Sequence, residues 1–185
     1  RRVLFRSGLF EHKDTEPFPL ALMDLRVEGN GQRGVSSVGG IRSEHPLVLT
    51  RAHFQDNTGV EAGDLLARSL DAVDLHVGQP YSPDSAPRIL VLGQTLMQEA
   101  LIHLLGGGIQ FDCQGETLYL VNVAISDGDD ATDGPSTLRL DNCQGEIQHL
   151  TLAKLVGEPR GTGLRIVGES DMLLANSALV DRKSV

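Results

Sequence analysis

The sequence predicts an all-β fold, a right-handed parallel β-helix of about seven coils. An apolar-x-apolar-x-x-apolar-x-apolar pattern recurs seven times, at starting points 23 to 30 residues apart, a range typical of solenoids. The period of two within each arm indicates strands. The two-residue step between the arms requires a bend, because an unbroken strand would turn the second pair outward. The right-handed sense follows from the general preference for right-handed crossovers between parallel strands.

The bend inside each copy is predicted to be a polar corner. Short polar side chains tolerate bent backbone and can hydrogen-bond the neighbouring main chain, so we expect a structural ladder that includes Asp24, Asp74, Asn122 and Asn176. Plain solvation of these side chains is the alternative. The copies begin at Leu20, Leu47, Leu70, Thr95, Leu118, Gln148 and Met172, and their corners are Asp24, Arg51, Asp74, Glu99, Asn122, Leu152 and Asn176.

Both ends of the chain look foreign to this repeat. Residues 1–7 and 181–185 read as the in-frame translation of two opposing sequencing adapters, which predicts that residues 8–180 are a single β-helix domain, a metagenomic fragment truncated at both ends. Without the ends, which hold five positive charges and one negative charge, the formal net charge changes from −9 to −13. Such an acidic surface argues against a nucleic-acid partner. The absence of a basic amphipathic segment or long apolar run argues against membrane contact within this fragment.

Short motifs connect the repeat to a known group of proteins. Gly39-Gly40-Ile41 opens the second coil, Phe54-Gln55-Asp56-Asn57 closes it, and Gly106-Gly107-Gly108-Ile109 repeats the opening. This pairing resembles the polymorphic-outer-membrane-protein-like repeats of the pectin-lyase-like β-helix superfold, and the later coils are similar to bacterial repeat proteins with a surface anchor. The resemblance spans roughly Leu20 to Val180. It implies a secreted or cell-surface, adhesin-like scaffold, with polysaccharide or another cell-surface ligand as partner.

An enzymatic alternative rests on outward side chains of the opening strand in the last three coils. Gln110, Arg139 and Arg165 form one predicted column, and Asp112 and Asp141 form the next. Pectin-lyase-like enzymes carry carboxylates and arginine on such a face, so the resemblance makes Asp112, Asp141, Arg139 and Arg165 the candidate catalytic set of a polysaccharide lyase or glycoside hydrolase. Alternating charge also keeps a parallel sheet soluble, and the chain has two tyrosines and no tryptophan as sugar platforms. We therefore favour the scaffold.

The tetrapeptide Cys-Gln-Gly-Glu occurs at Cys113 and again at Cys143, 30 residues later. Equivalent residues of neighbouring coils stack about 4.8 Å apart, a spacing that a disulfide tolerates. The pair can be a bridge in an oxidising compartment or a structural stack of reduced thiols. Because parallel stacking gives poor bridging geometry, we favour the reduced stack.

No cofactor is expected, although two clusters have metal-binding residue types. Asp127, Asp129, Asp130 and Asp133 crowd one Gly-flanked loop, where carboxylates can converge on Ca²⁺. The bidentate glutamate of an EF-hand loop is missing, so a solvated acidic loop is the favoured interpretation. His53 and His76 share one outward template position in neighbouring coils, with Asp56 or Asp74 as the nearest third ligand, and surface histidines without a role are favoured there.

Overall fold

The computed structural model describes residues 3–6, 10–12, 18–31, 38–78, 87–104, 108–127, 137–154 and 163–181. Within these ranges every regular element is a strand, and no helix is long and apolar enough to cross a membrane. The strands are β1 Val3–Arg6, β2 Phe10–His12, β3 Leu20–Glu28, β4 Ile41–Gln55, β5 Leu65–Val77, β6 Ile89–Val91, β7 Thr95–Leu104, β8 Ile109–Asp112, β9 Thr117–Asp127, β10 Leu138–Asp141, β11 Gln144–Lys154, β12 Leu164–Val167, β13 Asp171–Ala175 and β14 Ala178–Asp181.

These strands form one continuous, entirely parallel sheet that winds into a solenoid. Each coil contributes three segments, which we call A, B and C, separated by an A–B corner and a B–C corner; a C–A corner leads to the next coil. Segment A is a separate strand in five coils, namely β2, β6, β8, β10 and β12. In the other two coils it is the start of β4 and the start of β5. Segments B and C are the two arms of the sequence repeat. The predicted class, a parallel β-helix, is confirmed.

The solenoid has about five turns, fewer than the predicted seven coils. The first and last copies of the repeat do form strands, in β3 and in β13 and β14. Their inward side chains are less covered than those of the central coils: Leu20, Leu22, Met172 and Leu174 are only partly buried. These copies are end layers of the stack. The strand pairing is the same for either hand, so right-handedness stays a prediction.

Aliphatic stacks fill the interior, as the scarcity of aromatic residues predicts. One stack joins Leu49, Ala72, Met97, Leu120 and Ile147 of five successive coils, each less than 2 % exposed. Large and small side chains alternate at its start, so neighbouring coils fill one another's space. Burial of each large apolar side chain contributes about 1.5–3 kcal/mol, and the stack therefore holds the coils at fixed register.

The same backbone conformation occurs at the B–C corner of every coil. Its residue is left-handed each time, with φ between 50° and 59°, a region that most side chains avoid and that Asn and Asp tolerate best. A side-chain ladder is limited, within the described residues, to Asp24 and Arg51, where Nε lies 2.5 Å from Oδ1 and Nη2 donates to Oδ2 at 3.0 Å. These bonds and the charge of Asp24 raise the pKa of Arg51. The seven left-handed residues are Asp24, Arg51, Asp74, Glu99, Asn122, His149 and Asn176.

The sixth coil has a different register from the predicted one. Its corner is His149, and Leu152 is an inward residue that is 3 % exposed and pairs with Ile125. Gly145, not Gln148, takes the first template position, opposite Leu118. The prediction was wrong by three residues because a glycine occupies an inward position, where the pattern calls for an apolar side chain. An added Cβ at Gly145 would collide with the carbonyl oxygen of Leu118.

The C–A corner of the N-terminal coils encloses a buried network of polar side chains. Asp64 and Arg88 are 0 % and 3 % exposed, and Nε of Arg88 donates to Oδ2 of Asp64 at 2.8 Å while Nη2 lies 2.6 Å from the same oxygen. Asn57 donates to Oδ1 of Asp64 at 2.9 Å and to the carbonyl of Val27 at 3.1 Å. Its own side-chain oxygen accepts the backbone and side-chain N–H groups of Asn30. The network ties three successive C–A corners together.

This network gives a physical reason for the two sequence motifs that meet at the corner. Asn57 is the last residue of the Phe-x-x-Asn ending, and its amide serves two coils at once. Gly40 belongs to the Gly-Gly-Ile opening, and a Cβ at that position would collide with the carbonyl oxygen of Asp64. Close packing around the Asp64–Arg88 pair therefore explains both motifs.

Candidate functional site

The outward face of segment A contains the predicted columns of charged side chains. Strand pairing aligns Gln110, Arg139 and Arg165 in one column, and aligns Asp112 with Asp141 in the next. Because side chains alternate along a strand, both columns point away from the apolar core. The sequence thus places these residues correctly relative to one another.

Within these columns Asp141 is hydrogen-bonded by two neighbouring side chains. Nη2 of Arg139 donates to Oδ2 of Asp141 at 2.8 Å, and Nδ2 of Asn142 donates to Oδ1 at 3.0 Å. The Arg139 and Asp141 side chains are 37 % and 20 % exposed. Each carboxylate oxygen of Asp141 therefore accepts one hydrogen bond from a neighbouring side chain.

The other two members of the candidate catalytic set are not engaged in this way. Within the described part of the chain, the side chains of Asp112 and Arg165 make no hydrogen bond or ion pair. Asp112 is half-buried beside Asp141, and Arg165 is exposed on β12, in the end layer. On the described strands β8, β10 and β12, Asp112 and Arg165 are separated by the Arg139–Asp141 pair.

A cleft of about 520 Å³ lies along the A–B corners of four successive coils. A smaller hollow of about 290 Å³ adjoins it and shares Glu44, Arg68, Leu92 and Gln114. Volumes of this size are typical of small-ligand sites. The larger cleft is lined by Glu44, His45, Pro46, Arg68, Ser69, Leu92, Gly93, Gln94, Gln114 and Glu116.

Arg68 is shared by both hollows and is exposed. A Cβ at Gly93 would lie 2.6 Å from the carbonyl oxygen of Arg68, and the backbone N–H of Leu92 donates to the carbonyl of Ala67 at 2.9 Å. The next coil therefore packs its main chain directly against residue 68. This packing fixes the backbone of Arg68 at the wall of the cleft.

Cys113 and Cys143 form a disulfide, with Cα atoms 4.9 Å apart and both side chains fully buried. The predicted spacing is confirmed, but the preference for reduced thiols was wrong. The two tetrapeptides are not stacked in register: Gln114 and Gly115 form a turn in which the N–H of Glu116 donates to the carbonyl of Cys113 at 2.8 Å, whereas Gln144 begins β11. Asn142, with φ of 50°, shifts Cys143 opposite Cys113.

Asp129, Asp130 and Asp133 and the side chain of Asp127 lie outside the described residues. No group of three or more His, Cys, Asp or Glu side chains within the described ranges is arranged to hold a metal ion.

The histidine pair is a stack, with the ring centroids of His53 and His76 6.3 Å apart and an interplanar angle of 19°. Nε2 of His76 lies 3.0 Å from Oδ1 of Asp74, while Nε2 of His53 has no hydrogen-bond partner among the described residues. Within that part of the chain, the two rings therefore do not share an acceptor.

Sequence reasoning missed two groupings of polar residues. The buried Asp64–Arg88 pair is 24 residues apart in sequence and occurs once in the described chain, so no repeat signals it. Nδ1 of His103 lies 2.6 Å from Oγ of Ser126; these residues are equivalent in neighbouring coils, and the alignment of the repeats could have found them.

Comparison of the chain with protein-family models, with curated proteins and with solved structures found no match. The strand pairing alone therefore defines the parallel β-helix. The comparisons add no support for the narrower resemblance to surface repeat proteins.

Proposed function

We propose that this chain is a structural, adhesive scaffold segment of a large secreted or cell-surface bacterial protein. The observation that carries the proposal is the Cys113–Cys143 disulfide, which is buried in the apolar core of the solenoid. Disulfides persist in oxidising, extracytoplasmic compartments, and a stack of similar coils forms a stiff support with long lateral faces. Such a support suits the display of a binding surface.

The outward charged residues support the same proposal. Five of the seven arginines with described side chains lie within 4 Å of a carboxylate, four of them at the surface and one, Arg88, in the buried network. Most of the described guanidinium groups are therefore used in pairs within the protein, and the surface pairs contribute about 0.2–1 kcal/mol each. Asp141 in particular is used to anchor Arg139.

A polysaccharide-active enzyme is the second candidate, and unpaired Asp112 and Arg165 favour it. In a lyase or hydrolase of this kind, Asp112 would exchange protons with the sugar and Arg165 would bind a negative substituent. The intervening Arg139–Asp141 pair would orient them. This candidate requires a substrate to lie across β8, β10 and β12.

The deciding experiment is a turnover assay of the purified chain on a panel of acidic and neutral polysaccharides. The scaffold proposal expects no new reducing ends and no unsaturated products above a buffer blank. Activity that disappears in Asp112→Asn and Asp141→Asn, while both variants keep the wild-type melting temperature, would replace the scaffold by the enzyme.

A further inference from the structure

We propose that His53 and His76 bind a divalent transition-metal ion, with Cu²⁺ held most tightly, through one ring nitrogen of each imidazole. The two residues belong to neighbouring coils, so the ion would connect the second coil to the third. The inference adds a metal site to the molecule and does not depend on the scaffold proposal. It does not involve the candidate calcium residues of the acidic loop.

The register of the sheet places the two histidines side by side. His53 on β4 pairs directly with His76 on β5, and the Cα atoms of such neighbours lie about 4.8 Å apart. Each histidine lies between two buried residues of its own strand, so both side chains point away from the core. Their ring centroids are 6.3 Å apart, with an interplanar angle of 19°. The backbone alone therefore brings two imidazole groups together on one outward face.

The spacing of the pair suits chelation. A transition-metal ion binds an imidazole nitrogen at about 2.0–2.1 Å, so the two nitrogens must come within about 4 Å of each other. A separation of about 4.8 Å between the Cα atoms permits this approach, and the ring torsion χ2 of histidine varies broadly. Binding would therefore rotate the rings out of their stack until one nitrogen of each faces the ion.

The hydrogen bonds of the rings determine which nitrogens can bind the ion. Nε2 of His76 lies 3.0 Å from Oδ1 of Asp74, and because an ionised carboxylate only accepts hydrogen bonds, this nitrogen carries the proton. Nδ1 of His76 is then the unprotonated nitrogen of the neutral ring, the form that ligates metals. Neither ring nitrogen of His53 has a hydrogen-bond partner among the described residues. Each ring thus has a nitrogen for the ion.

The contact between Asp74 and His76 is itself typical of metal-binding histidines. A histidine that ligates a metal commonly donates its other ring N–H to a carboxylate, which fixes the tautomer and the ring orientation. Asp74 is therefore a positioning residue in this site, and water molecules would complete the coordination of the ion. Two protein ligands are fewer than a preformed centre has, in keeping with the lack of a three-residue cluster in the described ranges.

The charges around the pair favour a cation. Two arginines line the same surface hollow of about 340 Å³ as His53, but each is paired with a carboxylate. The two pairs are Arg26–Glu28 and Arg51–Asp24. With the arginines neutralised, the carboxylate of Asp74 leaves a negative charge beside the rings. On the opposite side His76 pairs with the uncharged Leu101. A divalent cation is therefore attracted to this face and not repelled from it.

The donor atoms select the class of ion. Imidazole nitrogen suits Cu²⁺, Ni²⁺ and Zn²⁺, whereas Mg²⁺ and Ca²⁺ prefer oxygen ligands. At a given nitrogen site the affinity of divalent first-row ions is highest for Cu²⁺, whose tetragonal geometry accepts nitrogen and oxygen ligands together. The two cysteines of the chain form the buried disulfide, so no thiol competes for the ion.

The test is isothermal titration calorimetry of the full chain with CuCl₂, ZnCl₂ and MgCl₂. One tight Cu²⁺ site is expected, with Zn²⁺ weaker and Mg²⁺ at least about tenfold weaker than Cu²⁺. His53→Gln and His76→Gln should each weaken Cu²⁺ binding at least about tenfold, and the double variant should differ from either by less than about twofold, because one imidazole cannot chelate. Asp74→Gly, which keeps the left-handed corner, should weaken binding at least about tenfold.

His149→Asn is the matched control, because His149 is exposed and its corner neighbours in the adjacent coils are Asn122 and Asn176. This variant should change the Cu²⁺ affinity less than about twofold. Cu²⁺ should also raise the melting temperature of the wild type but not that of His53→Gln, because an ion that connects two coils binds the folded chain.

Several results would overturn the inference. Unchanged Cu²⁺ binding in His53→Gln, or an equal loss in His149→Asn, would show that the pair is not the site. Losses that add up in the double variant would show two independent histidines. Equal affinities for Cu²⁺ and Mg²⁺ would assign the binding to the acidic surface. Each variant is checked by its melting temperature without metal, and none of these results bears on the scaffold proposal.

Discussion

The B–C corner and the C–A corner turn the chain by different means. At the B–C corner a single left-handed residue makes the bend in every coil, and its side chain is half-buried or exposed. At the C–A corner of the N-terminal coils, a buried network centred on Asp64 and Arg88 joins the coils through side chains. A backbone conformation can be repeated coil by coil, whereas a side-chain network is specific to one place. The two corners should therefore respond very differently to mutation.

Loss of Arg88 should produce the largest effect. Arg88→Met leaves the Asp64 carboxylate buried without its cation, which typically lowers the free energy of unfolding by about 3–5 kcal/mol. Urea unfolding at neutral pH measures the loss. Arg26→Met, at an exposed guanidinium, is the matched control and should change stability by less than about 0.5 kcal/mol. Similar losses in both variants would show that the buried network contributes nothing special.

The same variant predicts a pH dependence with a definite sign. Burial raises the pKa of Asp64, and the charge of Arg88 and the hydrogen bond from Asn57 counteract this rise. Without Arg88 the folded-state pKa lies further above the unfolded value of about 3.9. Because the folded state then binds the Asp64 proton more tightly than the unfolded state, protonation of Asp64 stabilises the fold below the unfolded pKa. This contribution to stability is lost as the pH rises through the folded-state pKa. The deficit of Arg88→Met should therefore be smaller at pH 4 than at pH 7; a deficit independent of pH contradicts this.

Removal of the disulfide should have the next largest effect, at an A–B corner. The bridge closes a loop of 30 residues, for which chain entropy predicts about 3–4 kcal/mol. Unfolding of the oxidised chain is compared with that of Cys113→Ala/Cys143→Ala, with and without reductant. Reductant should destabilise the wild type and leave the double variant unchanged. Two free thiols that titrate in the unreduced, unfolded protein would rule out the bridge.

The contrast between the corners also explains how much the sequence could predict. Alternation of apolar residues fixes the inward faces and the bends, so the strands and the outward columns follow from it. The Cys113–Cys143 spacing follows from the recurrence of the tetrapeptide one coil later. Gly145 breaks the alternation and shifts the predicted sixth coil. The Asp64–Arg88 pair and the cleft around Arg68 depend on which non-repeating side chains meet across coils. Such contacts leave no periodic signal, and only the Asn57 motif hinted at them.

A smaller effect is expected from Asn122 at the B–C corner. Its φ is 54°, a conformation in which a β-branched residue is strongly disfavoured. Asn122→Val should lower the free energy of unfolding by about 1–3 kcal/mol. Asn122→Gly tests the cause, because glycine tolerates this φ and should stay within about 0.5 kcal/mol of the wild type. If the two variants lose equal stability, the side chain of Asn122 matters and the conformation does not.

The smallest predicted effect is at Glu99, the equivalent B–C corner residue of the fourth coil. There a substitution should raise the free energy of unfolding instead of lowering it. It has a φ of 55° and is exposed, with no hydrogen bond or ion pair among the described residues. Because glutamate adopts this region less readily than asparagine, Glu99→Asn should raise the free energy of unfolding by up to about 1 kcal/mol. Glu116→Asn, at an exposed residue without a positive φ, is the control and should have no comparable effect. A gain confined to Glu99 would establish that the B–C corner selects residues by backbone conformation alone; a loss would indicate that Glu99 has a contact role of its own.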